Sequence, residues 1–294
     1  AGEVIPSVDR QAELAEARAK NPDTVAWLYI PGAEVDDPVM QAEDNGYYLK
    51  LDENGEYAMW GCYYAHCENE IGGRDKLDKN TTIFGHSASN CDPDGVRFTK
   101  LYRYMDADFV KEHPYIYLSV DGEDMIFQIT ALFITDIEFD YINPNPIGGE
   151  LTDFFQTVER KNWLDFDGVT FSEEDSVLTL STCCRKYDKT NSGNQRLVVM
   201  AKLLPEGATA QEFSVSLVDS PEIPQKKSEY DDNRTPILAV LKSSVWYREN
   251  GGCSVRGGRC FCCPNIFQMK GTYAYDRRAQ EVPLMLRRRA APGA

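Results

Sequence analysis

The sequence predicts a mostly β protein in which helices lie at the edges of a barrel-like antiparallel or mixed sheet. Short segments rich in β-branched and aromatic residues recur through the first 204 residues, and they outnumber the segments with helical periodicity. Hydrophobic residues make up 42% of the 294-residue chain, which is enough to form a core. No stretch approaches the length of about 18 apolar residues expected of a membrane-spanning helix.

Three segments have the pattern of helices. They are residues 8–20, 97–113 and 152–163. Ser7 and Thr152 are of the type that caps helix N-termini, so we expect them to cap the first and the third helix. In the second segment, apolar side chains recur at the i, i+3, i+4 and i+7 spacing of one helix face, and Pro114 ends the pattern.

Seven segments are typical of strands, because they combine β-branched and aromatic residues and are bounded by turn-forming residues. They are residues 24–31, 57–64, 80–85, 115–120, 125–136, 177–183 and 196–204. Asp121-Gly122 predicts a tight turn between the fourth and the fifth of these strands.

Charge divides the chain into two regions. The net charge of −16 argues against a nucleic-acid-binding protein, yet residues 234–294 hold eleven Lys or Arg and only three acidic residues. We therefore predict an N-terminal helix over 1–22, a catalytic barrel over 23–205, and a linker with a Cys- and Arg-rich tail over 206–294. The tail has no clear periodicity, and we expect it to be poorly ordered.

Cys183 is the residue best placed for nucleophilic chemistry, because it ends an apolar strand and so lies at the rim of the sheet. A buried structural cysteine is the alternative. His86 also follows a strand, and a histidine there can protonate a leaving amine. Arg196 opens the last strand, where its guanidinium group either stabilises an oxyanion or is an ordinary surface charge.

The other cysteines allow several interpretations. Cys67 and Cys91 are either a disulfide or free thiols, and we favour free thiols. Cys184 is either a bystander or a reversible disulfide partner of Cys183, and strained geometry favours the bystander. Neither Cys62 with His66 and Cys67, nor the cluster in the tail, has standard zinc spacing. We predict no metal and no cofactor.

Several strings resemble class B sortases. TLSTC, which ends at Cys183, is similar to the TLxTC signature of the sortase family. RLVVMAKL, which begins at Arg196, and IFGHS, which contains His86, resemble its arginine and histidine strands. Residues 21–49 are similar to the opening strand of class B and its D-x-P-V-x-Q turn. The resemblance covers residues 8–204, and it implies a sortase barrel with an N-terminal helix and a helix-bearing insertion before the cysteine strand.

The resemblance implies a cysteine transpeptidase that cleaves a C-terminal sorting signal, of NPxTN or NPxTG type, after its Thr. Cys183 would form a thioester, His86 would act as general acid and then base, and Arg196 would steady the oxyanion. Ser181 and Thr182 would lie at the oxyanion site. In the insertion, Tyr141 and Ile142 are either substrate contacts or core residues.

The implied partners are the sorting signal of a surface protein or a pilin, and an amine of a peptidoglycan precursor or of a pilin lysine. The implied location is the extracellular face of the cell membrane, with the anchor segment outside this chain. Two alternatives stay open at this stage. One is a thiol peptidase that hydrolyses the thioester, and the other is a non-catalytic binding module on the same barrel.

Overall fold

The computed structural model describes residues 2–167, 170–188 and 193–224. The helices are α1 Gln11–Lys20, α2 Ala107–Glu112 and α3 Gly149–Lys161, with 3-10 helices at Pro31–Ala33, Tyr47–Lys50 and Arg97–Met105. The strands are β1 Thr24–Ile30, β2 Val35–Met40, β3 Tyr63–Ala65, β4 Asn80–Phe84, β5 Tyr115–Val120, β6 Glu123–Asp136, β7 Leu164–Phe166, β8 Val177–Cys183, β9 Gln195–Leu203 and β10 Val215–Leu217.

Eight of these strands form a closed barrel. Their order around it is β1-β2-β3-β4-β8-β9-β6-β5, and β5 pairs with β1 to close the circle. The β2–β3 and β4–β8 pairs are parallel, and the other pairs are antiparallel. The predicted mostly β fold with a mixed barrel and peripheral helices is therefore confirmed.

The barrel interior is a continuous apolar core. Alternate residues of each strand point inward, as the period of an extended chain requires. Leu28, Ile83, Leu118, Phe127 and Val199 are fully buried there, and each comes from a different strand. A closed barrel has no free strand edge, so its stability does not depend on a partner for the sheet.

Each of the three predicted helices differs from expectation in detail. Segment 97–113 is broken at Asp106, whose extended backbone and side chain cap α2 by accepting a hydrogen bond from Asp108 N. Ser7 is not the cap of α1, because that helix begins at Gln11 and the Asp9 side chain accepts from Gln11 N. Thr152 is likewise inside α3, which begins at Gly149.

One strand prediction and one turn prediction were wrong. Of residues 57–64, only Tyr63 and Tyr64 are in a strand, because the chain before them turns back on itself through Leu51 and Tyr57. The D-x-P-V-x-Q segment is not a turn but strand β2, in which Pro38 pairs with Trp27 of β1.

The chain beyond residue 205 packs against the core of the domain through Phe213, Val215 and Ile223, and β10 forms a separate two-stranded sheet with β7. Thr209 forms a bridge with Val4 near the N-terminus. The described domain therefore continues past the predicted boundary at residue 205. Of the predicted linker and Cys- and Arg-rich tail over 206–294, residues 225–294 lie outside the described residues. Among the helices that are described, none is long and apolar enough to span a membrane.

Candidate active site

His86, Cys183 and Arg196 lie at one edge of the barrel, where Cys183 ends β8, Arg196 is the second residue of β9 and His86 follows β4. Cys183 of β8 is the direct partner of Arg196 in β9. On its other side, β8 runs parallel to β4, with Ser181 opposite Phe84. His86 follows the end of β4 by two residues, and the hydrogen bond from Ser87 Oγ to the Cys183 carbonyl keeps this segment beside the end of β8. The predicted histidine, cysteine and arginine therefore lie in a row across the sheet edge.

Hydrogen bonds hold the histidine loop on the cysteine strand. Gly85 N donates to Ser181 O at 3.2 Å, and Thr182 Oγ1 donates to Gly85 O at 2.7 Å. Beyond the strand, Ser87 Oγ donates to the Cys183 carbonyl at 2.9 Å. The residues on both sides of His86 are thus tied to the residues that carry the thiol.

His86 is half-buried and is oriented by the backbone. Its Nε2 lies 2.7 Å from the Leu49 carbonyl, which can only accept, so Nε2 carries the proton and Nδ1 is left to exchange one with a substrate. Burial lowers the pKa of His86 below its ordinary value, and the cations of Lys50 and Arg97 lower it further. The Leu49 carbonyl acts in the opposite direction. The Trp60 ring meets the imidazole edge-on, with centroids 6.3 Å apart.

The two adjacent cysteines have opposite surroundings. Cys183 is partly exposed, whereas Cys184 is fully buried and belongs to the core cluster. Burial raises the pKa of the Cys184 thiol, which lies beside the Tyr102 hydroxyl. Because neighbouring strand residues point to opposite sides of a sheet, Cys184 faces away from the reactive edge. This placement agrees with the bystander interpretation.

Arg196 is largely buried and braces the loop that precedes it. Its Nη1 donates to Gly193 O at 2.7 Å and to Gln195 O at 3.0 Å. Tyr64 of β3 lies near the same edge. Burial raises its pKa above the ordinary value, while the nearby Cys183 raises it and Arg196 lowers it. The hydrogen bonds to Gly193 O and Gln195 O hold the Arg196 guanidinium in place before any substrate arrives.

The four residues predicted at the oxyanion site or as substrate contacts are mostly engaged by the protein itself. Ser181, Thr182 and Tyr141 are buried, and Ile142 packs partly against the core. The hydroxyls of Tyr141 and Ser181 are hydrogen-bonded to each other at 2.9 Å. Since the Thr182 hydroxyl is used by Gly85, any part that Thr182 plays at an oxyanion site comes from its backbone.

The cations after the nucleophile have partners of their own. Arg185 lies 3.7 Å from the Asp188 carboxylate, and the Lys186 ammonium lies over the Tyr187 ring. The cysteines Cys62, Cys67 and Cys91 are present as thiols, so no disulfide joins Cys67 to Cys91. No group of metal-binding side chains is found in the part of the chain that the structure describes.

Several residues of the site were not predicted from the sequence. They are Leu49, Trp60, Tyr64 and Ser87. Ser87 directly follows His86, so its position next to a candidate base was a usable signal. Leu49 acts through its carbonyl, which no side-chain pattern reveals.

Comparisons with known proteins agree with this geometry. The sortase domain family matches residues 28–204. Sortase B of Listeria monocytogenes is 32% identical over 193 residues, which span 65% of this chain and 74% of that protein. A Staphylococcus aureus sortase B–substrate complex is 25% identical with a TM-score of 0.56, and it matches 69% of this chain and 87% of its own. A sortase B complexed with triglycine is 26% identical, with the same TM-score and coverage of 67% and 87%.

The sortase domain family matches more than half of the chain, and the barrel carries a cysteine, a histidine and an arginine at one edge. The chain therefore belongs to the sortase family. That family supports a transpeptidase function for the chain. The relatives and solved structures above are all sortase B proteins, and the chain is accordingly a class B sortase.

Proposed function

We propose that this sortase cleaves a C-terminal sorting signal of NPxTN or NPxTG type after its Thr and transfers the resulting acyl group to an amine. The observation that carries the proposal is the row of His86, Cys183 and Arg196, fixed by the β4–β8 and β8–β9 registers. A thiol needs a proton-transfer partner and an oxyanion stabiliser to perform acyl transfer, and this row supplies both.

In the first step, the Cys183 thiol gives its proton to Nδ1 of His86 as its sulfur bonds to the carbonyl carbon of the Thr. The peptide C–N bond breaks, and the departing amine takes a proton from His86. In the second step, an incoming amine bonds to the thioester carbon and gives a proton to His86. The C–S bond then breaks, and the departing Cys183 sulfur takes that proton from His86, which restores the thiol. His86 ends each full cycle in its starting protonation state.

Arg196 serves the tetrahedral intermediates of both steps. Each intermediate places negative charge on the former carbonyl oxygen, and a guanidinium offers donors in a fixed planar fork. The hydrogen bonds from Nη1 to Gly193 O and Gln195 O hold the group before substrate binds. Preorganised donors of this kind do not have to reorient as charge develops.

The acceptor is proposed to be an amine of a peptidoglycan precursor or a pilin lysine. The sortase B complexed with triglycine supports a small peptide amine as the acceptor class. The S. aureus sortase B–substrate complex supports a peptide substrate. We further propose that the enzyme works on the extracellular face of the cell membrane.

The test is mass spectrometry of the protein incubated with NPQTN- and NPxTG-type peptides, with and without triglycine. We expect a thioester adduct on Cys183 that triglycine converts into ligated peptide, and no adduct on Cys183→Ala. Cleavage that is independent of triglycine would instead support the thiol peptidase. A folded protein that yields neither adduct nor cleavage would contradict the proposal and favour a binding module.

A further inference from the structure

Asn80 joins three parts of the barrel through one buried side chain. It is the first residue of β4 and is only 1% exposed. Its Oδ1 accepts a hydrogen bond from Thr179 Oγ1 of β8 at 2.6 Å. Its Nδ2 donates to the carbonyls of Tyr141 at 2.8 Å and Asn143 at 3.0 Å. The carboxamide therefore uses its acceptor on one strand and both its donors on one loop.

The residues around Asn80 hold the same loop. The Asn80 backbone N–H donates to Pro144 O at 2.9 Å. At the neighbouring positions, Lys79 N donates to Asn145 Oδ1 at 3.0 Å. Asn145 Nδ2 in turn donates to the Asp78 carboxylate at 2.6 Å. Residues 78–80 thus form a row of contacts along loop residues 141–145, which we name the loop clamp.

The clamped loop reaches the cysteine strand at a second point. The Tyr141 hydroxyl is hydrogen-bonded to Ser181 Oγ, two residues before Cys183 and on the same side of β8. Asn80 therefore fixes the backbone of Tyr141, while Ser181 fixes the end of its side chain. The distance between this loop and the reactive thiol is set by contacts at both ends of one residue.

We infer that Asn80 is a positioning residue, which holds loop residues 141–145 in the position where they contact a peptide bound beside Cys183. The inference rests on the proposed function, because it makes this loop part of the surface that binds the peptide substrate. Asn80 touches neither His86 nor Arg196 in any described contact, so its effect is on peptide binding and not on the chemistry of the thiol.

An amide is needed at this position because acceptor and donors are used together. A carboxylate keeps the acceptor for Thr179 but faces two carbonyls without a hydrogen to donate. Asn80→Asp therefore releases the loop with almost no change of shape. Thr179→Val is the matched control, since it removes the contact to β8 and leaves both donors on the loop.

The experiment compares wild type, Asn80→Asp and Thr179→Val by steady-state kinetics with an NPQTN-type peptide at fixed triglycine. For Asn80→Asp we expect KM to rise about tenfold, which is the change expected when peptide binding loses the net contribution of one hydrogen bond. We expect kcat to stay within about twofold of wild type. Thr179→Val should keep KM within about twofold. Iodoacetamide should alkylate Cys183 equally fast in all three proteins, because the thiol is unchanged.

Limited chymotrypsin digestion gives a readout that needs no substrate. We expect faster cleavage near Phe139 and Tyr141 in Asn80→Asp than in wild type or Thr179→Val. If Asn80→Asp does not fold, Tyr141→Phe loosens the same loop at Ser181 without a buried charge, and it should raise KM in the same way.

An unchanged KM together with unchanged digestion in the folded variant would overturn the inference. So would a joint fall of kcat and of the alkylation rate, because that pattern means the thiol itself has moved. If wild type turns over no peptide, the proposed function fails separately. The role of the loop clamp is then tested by chymotrypsin digestion alone. Equal cleavage of wild type and Asn80→Asp would overturn the inference.

Discussion

Cys183 and Arg196 lie directly opposite each other in the antiparallel β8–β9 pair. Twelve residues separate them in the sequence, yet the register fixes the thiol and the guanidinium on neighbouring strands whatever course the connection takes. Arg196 is also hydrogen-bonded to Gly193 O and Gln195 O at the end of that connection. The position of Arg196 relative to the nucleophile Cys183 is therefore fixed by the sheet itself.

Replacement of the two adjacent cysteines should have unequal effects. Cys183→Ala removes the nucleophile and should abolish thioester formation in the mass-spectrometric assay. Cys184→Ala, the matched control, should retain turnover within about threefold but should lower the melting temperature, because it opens a small cavity in the core. Equal loss of activity in both variants would contradict the assignment of Cys183 alone as nucleophile.

Arg196 should not tolerate lysine. Arg196→Lys keeps the charge but loses the planar fork, so we expect kcat to fall about 100-fold, as when an oxyanion donor is removed. The comparison is with Arg185→Lys, whose side chain pairs with Asp188 and should keep near-wild-type turnover. Steady-state kinetics of both variants measures the difference, and wild-type kcat in Arg196→Lys would rule out the oxyanion role.

Ser87 should matter for rate through its bond to the Cys183 carbonyl. Ser87→Ala removes that contact between the histidine loop and β8, so we expect kcat to fall about three- to tenfold with KM unchanged. Ser89→Ala changes another serine of the same loop and serves as the control. The two effects are measured by turnover of the same peptide, and equal rates would mean that the contact does not position His86.

Thiol labelling should distinguish Cys183 from the buried cysteines Cys62 and Cys184. Burial raises the pKa of Cys62 to about 12 and also raises that of Cys184, so neither thiol ionises or meets reagent near neutral pH. Brief iodoacetamide treatment near neutral pH should modify Cys183 well before either of them. Peptide mapping by mass spectrometry reads the order, and early labelling of Cys184 would contradict its core position.

Acid should destabilise the barrel through His66. Burial lowers the pKa of this histidine to about 4, from an ordinary value of 6.5. As pH falls below about 6.5, the unfolded chain takes up a proton that the folded chain refuses. Stability is therefore lost between about pH 6.5 and about pH 4, by up to about 3 kcal/mol.

The corresponding measurement is urea unfolding at about pH 7 and about pH 4.5 for wild type and His66→Asn. In wild type, Glu68 N donates a hydrogen bond to His66 Nδ1. The side-chain oxygen of Asn can accept the same hydrogen bond, and the Asn side chain does not titrate. We expect the variant to lose less stability on acidification than wild type. An identical loss in both proteins would show that other groups govern the acid response.

The reactive row could be predicted because each of its members ends or begins an apolar strand within a family-like string. Its supports could not, because they join residues distant in sequence. Asn80 and Tyr141 are 61 residues apart, and Leu49 contributes only a carbonyl. Tyr141 itself was left between substrate contact and core, and the structure buries it with its hydroxyl on Ser181. Periodicity located segment 97–113 but not its break, which the extended backbone of Asp106 imposes.

The parallel pairing of β4 with β8 has a consequence for biosynthesis. Ser87 and Cys183 are 96 residues apart in sequence, so the base cannot approach the nucleophile until most of the domain has been made. Pairings of such high contact order form slowly, after local structure. A nascent or partly folded chain therefore carries an unassisted thiol, and acyl-transfer capacity is acquired only when the barrel closes.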